Sequence, residues 1–154
     1  MTITITLVMV ALLVGLDQLT KFLVLTSVKP VGAVPFIDGI IQFRYVENTG
    51  AAFSILSEKT WLLSIITGVM ILIGLLYLFL GKSDSKLQYI SIVLVISGGI
   101  GNLVDRVFRG FVVDFIEYLF MEYAVFNFAD ILVTIGAVLL VISVLFVKDK
   151  EQGE

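Results

Sequence analysis

Four stretches of the chain, at residues 3–25, 61–80, 87–106 and 127–147, are apolar over lengths that suit a membrane-crossing helix. A span of the hydrocarbon core takes roughly 20 helical residues. The second stretch carries no charge, and the third is uncharged until it meets Asp105 and Arg106 at its end. The fourth holds Asp130 as its only ionisable group, and the first holds Asp17 and Lys21 near its end. The first stretch lacks both a basic leader and a small-residue cleavage site, so it reads as a retained span and not as a signal peptide. Alternation puts both termini on one side of the membrane. The short polar turn at 81–86 lies on that side too, and the two longer connections, 26–60 and 107–126, lie together on the other.

The first long connection changes its periodicity from helical to strand-like. Asp38-Gly39 is a hairpin turn signal between 34–37 and the residues from Ile40 onward. Beyond it Ile41, Phe43 and Tyr45 alternate with Gln42 and Arg44, which gives one apolar and one polar face. The expected fold is therefore a mainly α membrane protein, a single integral membrane domain over 1–154. It has four transmembrane helices, with a small β-sheet segment and a short extracytoplasmic loop or helix at one membrane face.

Composition agrees. Hydrophobic residues make up 59% of the chain and charged residues 15%, against about 25% charged in ordinary soluble domains. The chain has no Cys and no His, which excludes disulfides, thiolate nucleophiles and the usual metal-ligand and triad chemistry. A net charge of −3 without a basic run makes nucleic acid an unsuitable partner. Charge leaves the orientation open: Lys82, Lys86, Lys148 and Lys150 on one side face Lys29, Arg44, Lys59 and Arg109 on the other.

The polar residues inside the spans crowd one leaflet. Alternation brings the ends of spans one and three and the start of span four together, and with them Asp17 and Lys21, then Asn102, Asp105 and Arg106, then Asn127 and Asp130. Helix ends meet headgroups in any case, and Lys21 or Arg106 could simply snorkel. Asp130 is too short for that, and ionisable groups in such places are costly and usually functional. Asp17 and Lys21 stand at i and i+4 and are spaced to pair. Asn102 and Arg106 share a face, as do Asn127 and Asp130. Gly98, Gly99 and Gly101 suit close helix packing.

A further carboxylate, Asp114, lies in the apolar run Phe111-Val112-Val113-Asp114-Phe115-Ile116, on a strand or a short helix just outside the membrane. Two carboxylates in a dry site share one proton, since both cannot ionise side by side. One can then activate a water while the other protonates a carbonyl or a leaving amine. That is peptide hydrolysis without His, Cys or metal. Two other readings use the same residues: a small transporter or proton channel, and a Ser–Lys protease with Lys21 as base and Ser54 or Ser57 as nucleophile. Against the first, no polar path crosses the apolar half of the spans.

Five blocks in order resemble the bacterial lipoprotein signal peptidases (signal peptidase II), nearly end to end. They are Asp17-Gln18-Leu19-Thr20-Lys21, Asn48-Thr49-Gly50-Ala51-Ala52-Phe53, Gly98-Gly99-Ile100-Gly101-Asn102-Leu103-Val104-Asp105-Arg106, Val112-Val113-Asp114-Phe115 and Phe126-Asn127-Phe128-Ala129-Asp130. The resemblance implies an aspartic endopeptidase of the bacterial cytoplasmic membrane. Such an enzyme has cytoplasmic termini and an active site near the outer leaflet, and cuts prolipoproteins before a diacylglyceryl-modified cysteine. Asp114 and Asp130 match the catalytic pair. Asn102, Asp105, Arg106 and Asn127 match polar site residues, Asp17 and Lys21 the charged pair of span one, and Asn48 and Gly50 the surface-loop block. The implied partners are lipid-modified prolipoproteins and membrane lipids, for a monomer with no metal and no cofactor.

Overall fold

The computed structural model describes residues 3–50, 59–81, 83 and 85–146. Ala51, Ala52, Phe53, Ser54, Ser57, Lys82, Val147, Lys148 and Lys150 lie outside the described residues.

Helix α1 (Ile3–Leu23) continues into a π-helical turn (Val24–Val28), closed by a bond from the Lys29 N–H to the Val24 carbonyl at 2.9 Å. A hairpin of β1 (Ala33–Ile37) and β2 (Ile41–Asn48) follows, then α2 (Thr60–Phe79) and α3 (Lys86–Arg109). Strand β3 (Val112–Tyr118) leads to α4 (Phe128–Phe146). All four helices are long and apolar enough to cross a membrane. Their outward faces are apolar, as with Leu12 on α1, Met70 on α2 and Val144 on α4.

Helix α3 is the centre of the bundle and buries side chains along its whole length, from Gln88 to Asp105. Its Ile92, Val93 and Ile96 form one core with Leu78 of α2. Glycine lets α4 approach: a Cβ on Gly98 would run into the carbonyl oxygen of Ala129, and one on Gly136 would sit 2.7 Å from that of Ser91. Helix α3 continues past the apolar run to Arg109 and ends on Gly110, whose φ of 82° suits a left-handed cap. That cap turns the chain directly into β3.

The sheet is antiparallel in the order β1-β2-β3. The hairpin turns at Asp38-Gly39 as the residue pattern expects, with Gly39 at φ 71°. The segment holding Asp114 is a third strand and not a helix. Between β2 and β3 a bulge shifts the register: Phe43 pairs with Ile116, but Val46 pairs with Asp114 and Asn48 with Val112. Val24 and Val28 pack under the sheet against Val113 and Phe115. Past the loop that follows β3, Phe126 bonds back to the strand: its carbonyl accepts from Phe115 and Ile116 at 2.9 and 2.8 Å. Asn127, the next residue, is thereby delivered beside Asp114.

Candidate active site

Asp114 and Asp130 reach the site from different elements, one from a strand and one from the first turn of a helix. Asp130 is placed by a reciprocal cap. The Asn127 side-chain oxygen accepts the Asp130 N–H at 3.0 Å, and the Asp130 carboxylate accepts the Asn127 N–H at 3.1 Å. This arrangement satisfies two otherwise orphan donors of the helix start, and a carboxylate there also complements the helix dipole.

Asparagines join the two carboxylates. Asn127 Nδ2 donates to Asp114 Oδ1 at 2.6 Å and to Asn102 Oδ1 at 3.2 Å, while Asn102 Nδ2 donates to Asp130 Oδ1 at 2.8 Å. From β2, Asn48 Nδ2 donates to Asp114 Oδ2 at 2.8 Å. The Asn48 oxygen accepts the Gly50 N–H at 2.9 Å, which fixes that amide. The Arg106 guanidinium reaches the Gly50 carbonyl at 3.3 Å, and its Nε is buried with no hydrogen-bond partner. The charges of Asp130 and Asp114 both act on it.

Burial pushes the Asp114 carboxyl up to about 7, and the Asp130 charge adds to this; donation from Asn48 and Asn127 works against it. Asp114 is 2% exposed and lies at the edge of a groove of about 990 Å³. Asn48, Gly50, Tyr118, Phe120 and Tyr123 line the groove too. Phe120 and Tyr123, in the loop after β3, are exposed there, and Tyr118 at the end of the strand is half-buried.

The remaining sequence candidates stand one step behind. Lys21 pairs with Asp17 at 2.9 Å and with Asp105 at 3.0 Å, all three fully buried. Asp17 accepts the Ala129 N–H at 3.0 Å, and Asp105 accepts the Val113 N–H at 3.0 Å. The i and i+4 spacing of Asp17 and Lys21 is thus an actual ion pair, but neither residue touches Asp114 or Asp130. Two members of this cluster were not among the sequence candidates. Gln18 donates to Asp105 at 3.2 Å, and Arg109 bonds both Gln18 and Asp105. Arg109 stands four residues beyond Asp105, so a helix running past residue 106 would have pointed to it.

Chemically the arrangement offers two carboxyls, one held near neutrality, with amide donors fixed around them and an arginine alongside. Among the described residues no group of His, Cys, Asp or Glu is arranged to hold a metal ion.

Residues 9–146 match the family model described as Signal peptidase (SPase) II. A protein named lipoprotein signal peptidase from Clostridioides difficile (strain 630) is 41% identical over 143 residues, covering 93% of this chain and 96% of that relative. One of the same name from Streptococcus pyogenes serotype M2 (strain MGAS10270) is 42% identical over 131 residues, covering 85% of this chain and 86% of its own. A solved structure, described as a bacterial membrane enzyme determined by the in meso method at 2.3 Å resolution, superposes with a TM-score of 0.87. It is 29% identical, over 99% of this chain and 94% of that one. A second bacterial membrane enzyme, at 1.9 Å resolution, gives a TM-score of 0.83 at 30% identity, covering 95% of this chain and 96% of its own. With its four apolar helices and these neighbours, the molecule is a multi-pass membrane protein. The matched length, the shared fold and the protease relatives lead to one assignment: this chain belongs to the signal peptidase II family of membrane proteases.

Proposed function

We propose that the chain is an aspartic endopeptidase that removes signal peptides from prolipoproteins, cutting before a diacylglyceryl-modified cysteine. The observation that carries this reading is the asparagine bridge from Asp114 through Asn127 and Asn102 to Asp130. It holds two carboxyls at one point on the edge of an open groove. The pair shares one proton. The ionised carboxyl takes a proton from a water as the water oxygen bonds to the scissile carbonyl carbon. The protonated carboxyl gives its proton to the carbonyl oxygen, and a neutral gem-diol results. The C–N bond then breaks, its electron pair stays on nitrogen, and the nitrogen takes the proton that came from the water. A gem-diol hydroxyl returns a proton to the other carboxylate, and the resting pair is restored.

The unpartnered Nε of Arg106 is free to donate to a substrate carbonyl beside the pair. The whole chain acts as one integral membrane domain, a monomer with cytoplasmic termini and the site near the outer leaflet. A lipid anchor in that leaflet holds the scissile bond at the depth of the carboxylates, which raises its effective concentration. The test is cleavage of a lipobox peptide by purified protein, with fragments identified by mass spectrometry. The diacylglyceryl-modified peptide is expected to be cut before the cysteine, and the unmodified peptide at a small fraction of that rate. Equal cleavage of both, or cleavage elsewhere, would reject the substrate assignment.

Activity is expected to decline with alkalinity. An acid raised to about 7 keeps its proton below that pH and loses it above. Once both carboxyls are ionised no proton remains to share, so kcat/KM should drop about tenfold per pH unit on the alkaline side. A pH–rate profile on the lipidated peptide checks this; a level profile through pH about 7 to about 9 would contradict the shared proton.

A further inference from the structure

Behind the carboxylates lies a buried cation that the hydrolytic steps do not use. An ammonium has three N–H donors and no acceptor, and Lys21 has a carbonyl or carboxylate partner for each. These are Asp17 Oδ2 at 2.9 Å, Asp105 Oδ2 at 3.0 Å and Asn102 Oδ1 at 2.9 Å. Each partner holds a different part of the site. Asp17 accepts the N–H of Ala129, next to Asp130. Asp105 accepts the N–H of Val113, next to Asp114. Asn102 donates to Asp130 itself.

We propose that Lys21 is the positioning residue of the carboxylate pair, locking the Asn102 amide with Nδ2 toward Asp130 and clamping the two backbones that carry Asp114 and Asp130. The inference rests on the Asp114–Asp130 reading given above. The other two amides of the network are oriented by backbone donors that cannot turn: the Asp130 N–H on Asn127 and the Gly50 N–H on Asn48. The Asn102 oxygen meets only side chains, Lys21 and the Asn127 amide. Were Asn102 to flip, its NH2 would face the ammonium and its oxygen would face the Asp130 carboxylate. Donor would then oppose donor, and acceptor oppose acceptor. Lys21 therefore makes the flipped state unfavourable, and Asp130 keeps its donor through the reaction. The charges acting on Asp114 are those of Asp130 on α4 and Lys21 on α1, with Arg106 of α3 interacting with it, and Glu47, Glu117 and Glu122 line the same groove. Among these the Lys21 cation favours ionised Asp114, so its removal moves the loss of the Asp114 proton to higher pH.

The test compares full-length wild type with Lys21→Met and with the charge-balanced double variant Asp17→Asn/Lys21→Met, beside Asp114→Asn and Asp130→Asn. Folding is read from the thermal midpoint and elution profile, and kcat and KM on the diacylglyceryl lipobox peptide are measured across pH. The folded lysine variants are expected to lose about tenfold or more in kcat. KM should change by less than about twofold, and in Lys21→Met the alkaline limb should move up by about half a pH unit or more. A merely structural lysine would lower the thermal midpoint and leave kcat in place. Wild-type kcat in the folded double variant would overturn the proposal. So would failure of both lysine variants to fold, since the lysine would then be a strut. Activity surviving in Asp114→Asn or Asp130→Asn would instead overturn the carboxylate reading, and this inference with it.

Discussion

Asp114→Asn and Asp130→Asn are each expected to lower kcat by about a thousandfold or more, in protein that still folds. Asparagine keeps the size of the side chain but can neither hold the shared proton nor take one from water. The structural cost is small and can be counted in hydrogen bonds. Each Asp114 oxygen accepts from one amide, Asn127 or Asn48, and each Asp130 oxygen accepts from Asn102 or the Asn127 backbone. A new NH2 leaves one of these donors opposed by another donor, a loss of about 1–3 kcal/mol in a buried place. The reciprocal cap of α4 keeps at least the Asn127-to-Asp130 backbone half. Thermal midpoints slightly below wild type, with no cleavage of the lipidated peptide, are the outcome to look for. Appreciable cleavage by either folded variant would leave the pair without its role.

The second large effect falls at Gly98. A methyl group there would press on the carbonyl oxygen of Ala129 and stand 2.8 Å from Val133 Cγ2 and 3.1 Å from the Val133 N. Two of these obstacles are backbone and cannot rotate away, so α3 and α4 must part. Overpacking of this kind costs about 1–3 kcal/mol. Ala129 adjoins Asp130, so the displacement reaches the site too, and a shift near 1 Å can lower turnover by up to about a hundredfold. Gly98→Ala should therefore lower both the thermal midpoint and kcat. Gly68→Ala on α2 is the control, because a Cβ there meets nothing within 4 Å. It is expected to be neutral or to stabilise by about 0.5–1 kcal/mol through helix propensity. A Gly98→Ala protein as stable and active as the control would show that the helix contact is softer than its geometry implies.

The small-residue run before Asn102 was readable as close helix packing, and Gly98 and Gly101 do abut α4 and Asp17. The hairpin was readable because Asp38-Gly39 and the alternation after it are local signals. The spacings of Asp17 with Lys21 and of Asn127 with Asp130 were readable because a helix brings such neighbours to one face. What pairs across distant segments was not. Nothing in Phe111-Val112-Val113-Asp114 announces that the segment joins β2, so the Asn48–Asp114 bond appears only once the strands are in register. Nor could spacing separate the residues that touch the carboxyls from those behind them. Lys21, Asp17 and Asp105 read as members of the same polar cluster as Asn102, yet Asp17 and Asp105 bond the backbone beside Asp130 and Asp114, and Lys21 bonds Asp17, Asp105 and Asn102.

The bulge in β2 decides which residue of the strand meets Asp114. Residues along a strand alternate between faces, so a shift of one flips every later side chain. With the bulge, Val46 stands opposite Asp114, and Asn48, two further on, lies on the same face and reaches the carboxyl. Were the strand to run without the bulge and keep all its residues, the pairing seen at Phe43 with Ile116 would continue all the way along. Tyr45 would then oppose Asp114, and Glu47 would take the place of Asn48. A third negative charge would stand against the pair where a neutral donor now stands. An insertion or deletion at the hairpin tip moves none of these residues. The tip is free to vary among descendants of this chain, while further along the same strand one surplus residue keeps a neutral amide, and not a carboxylate, against Asp114.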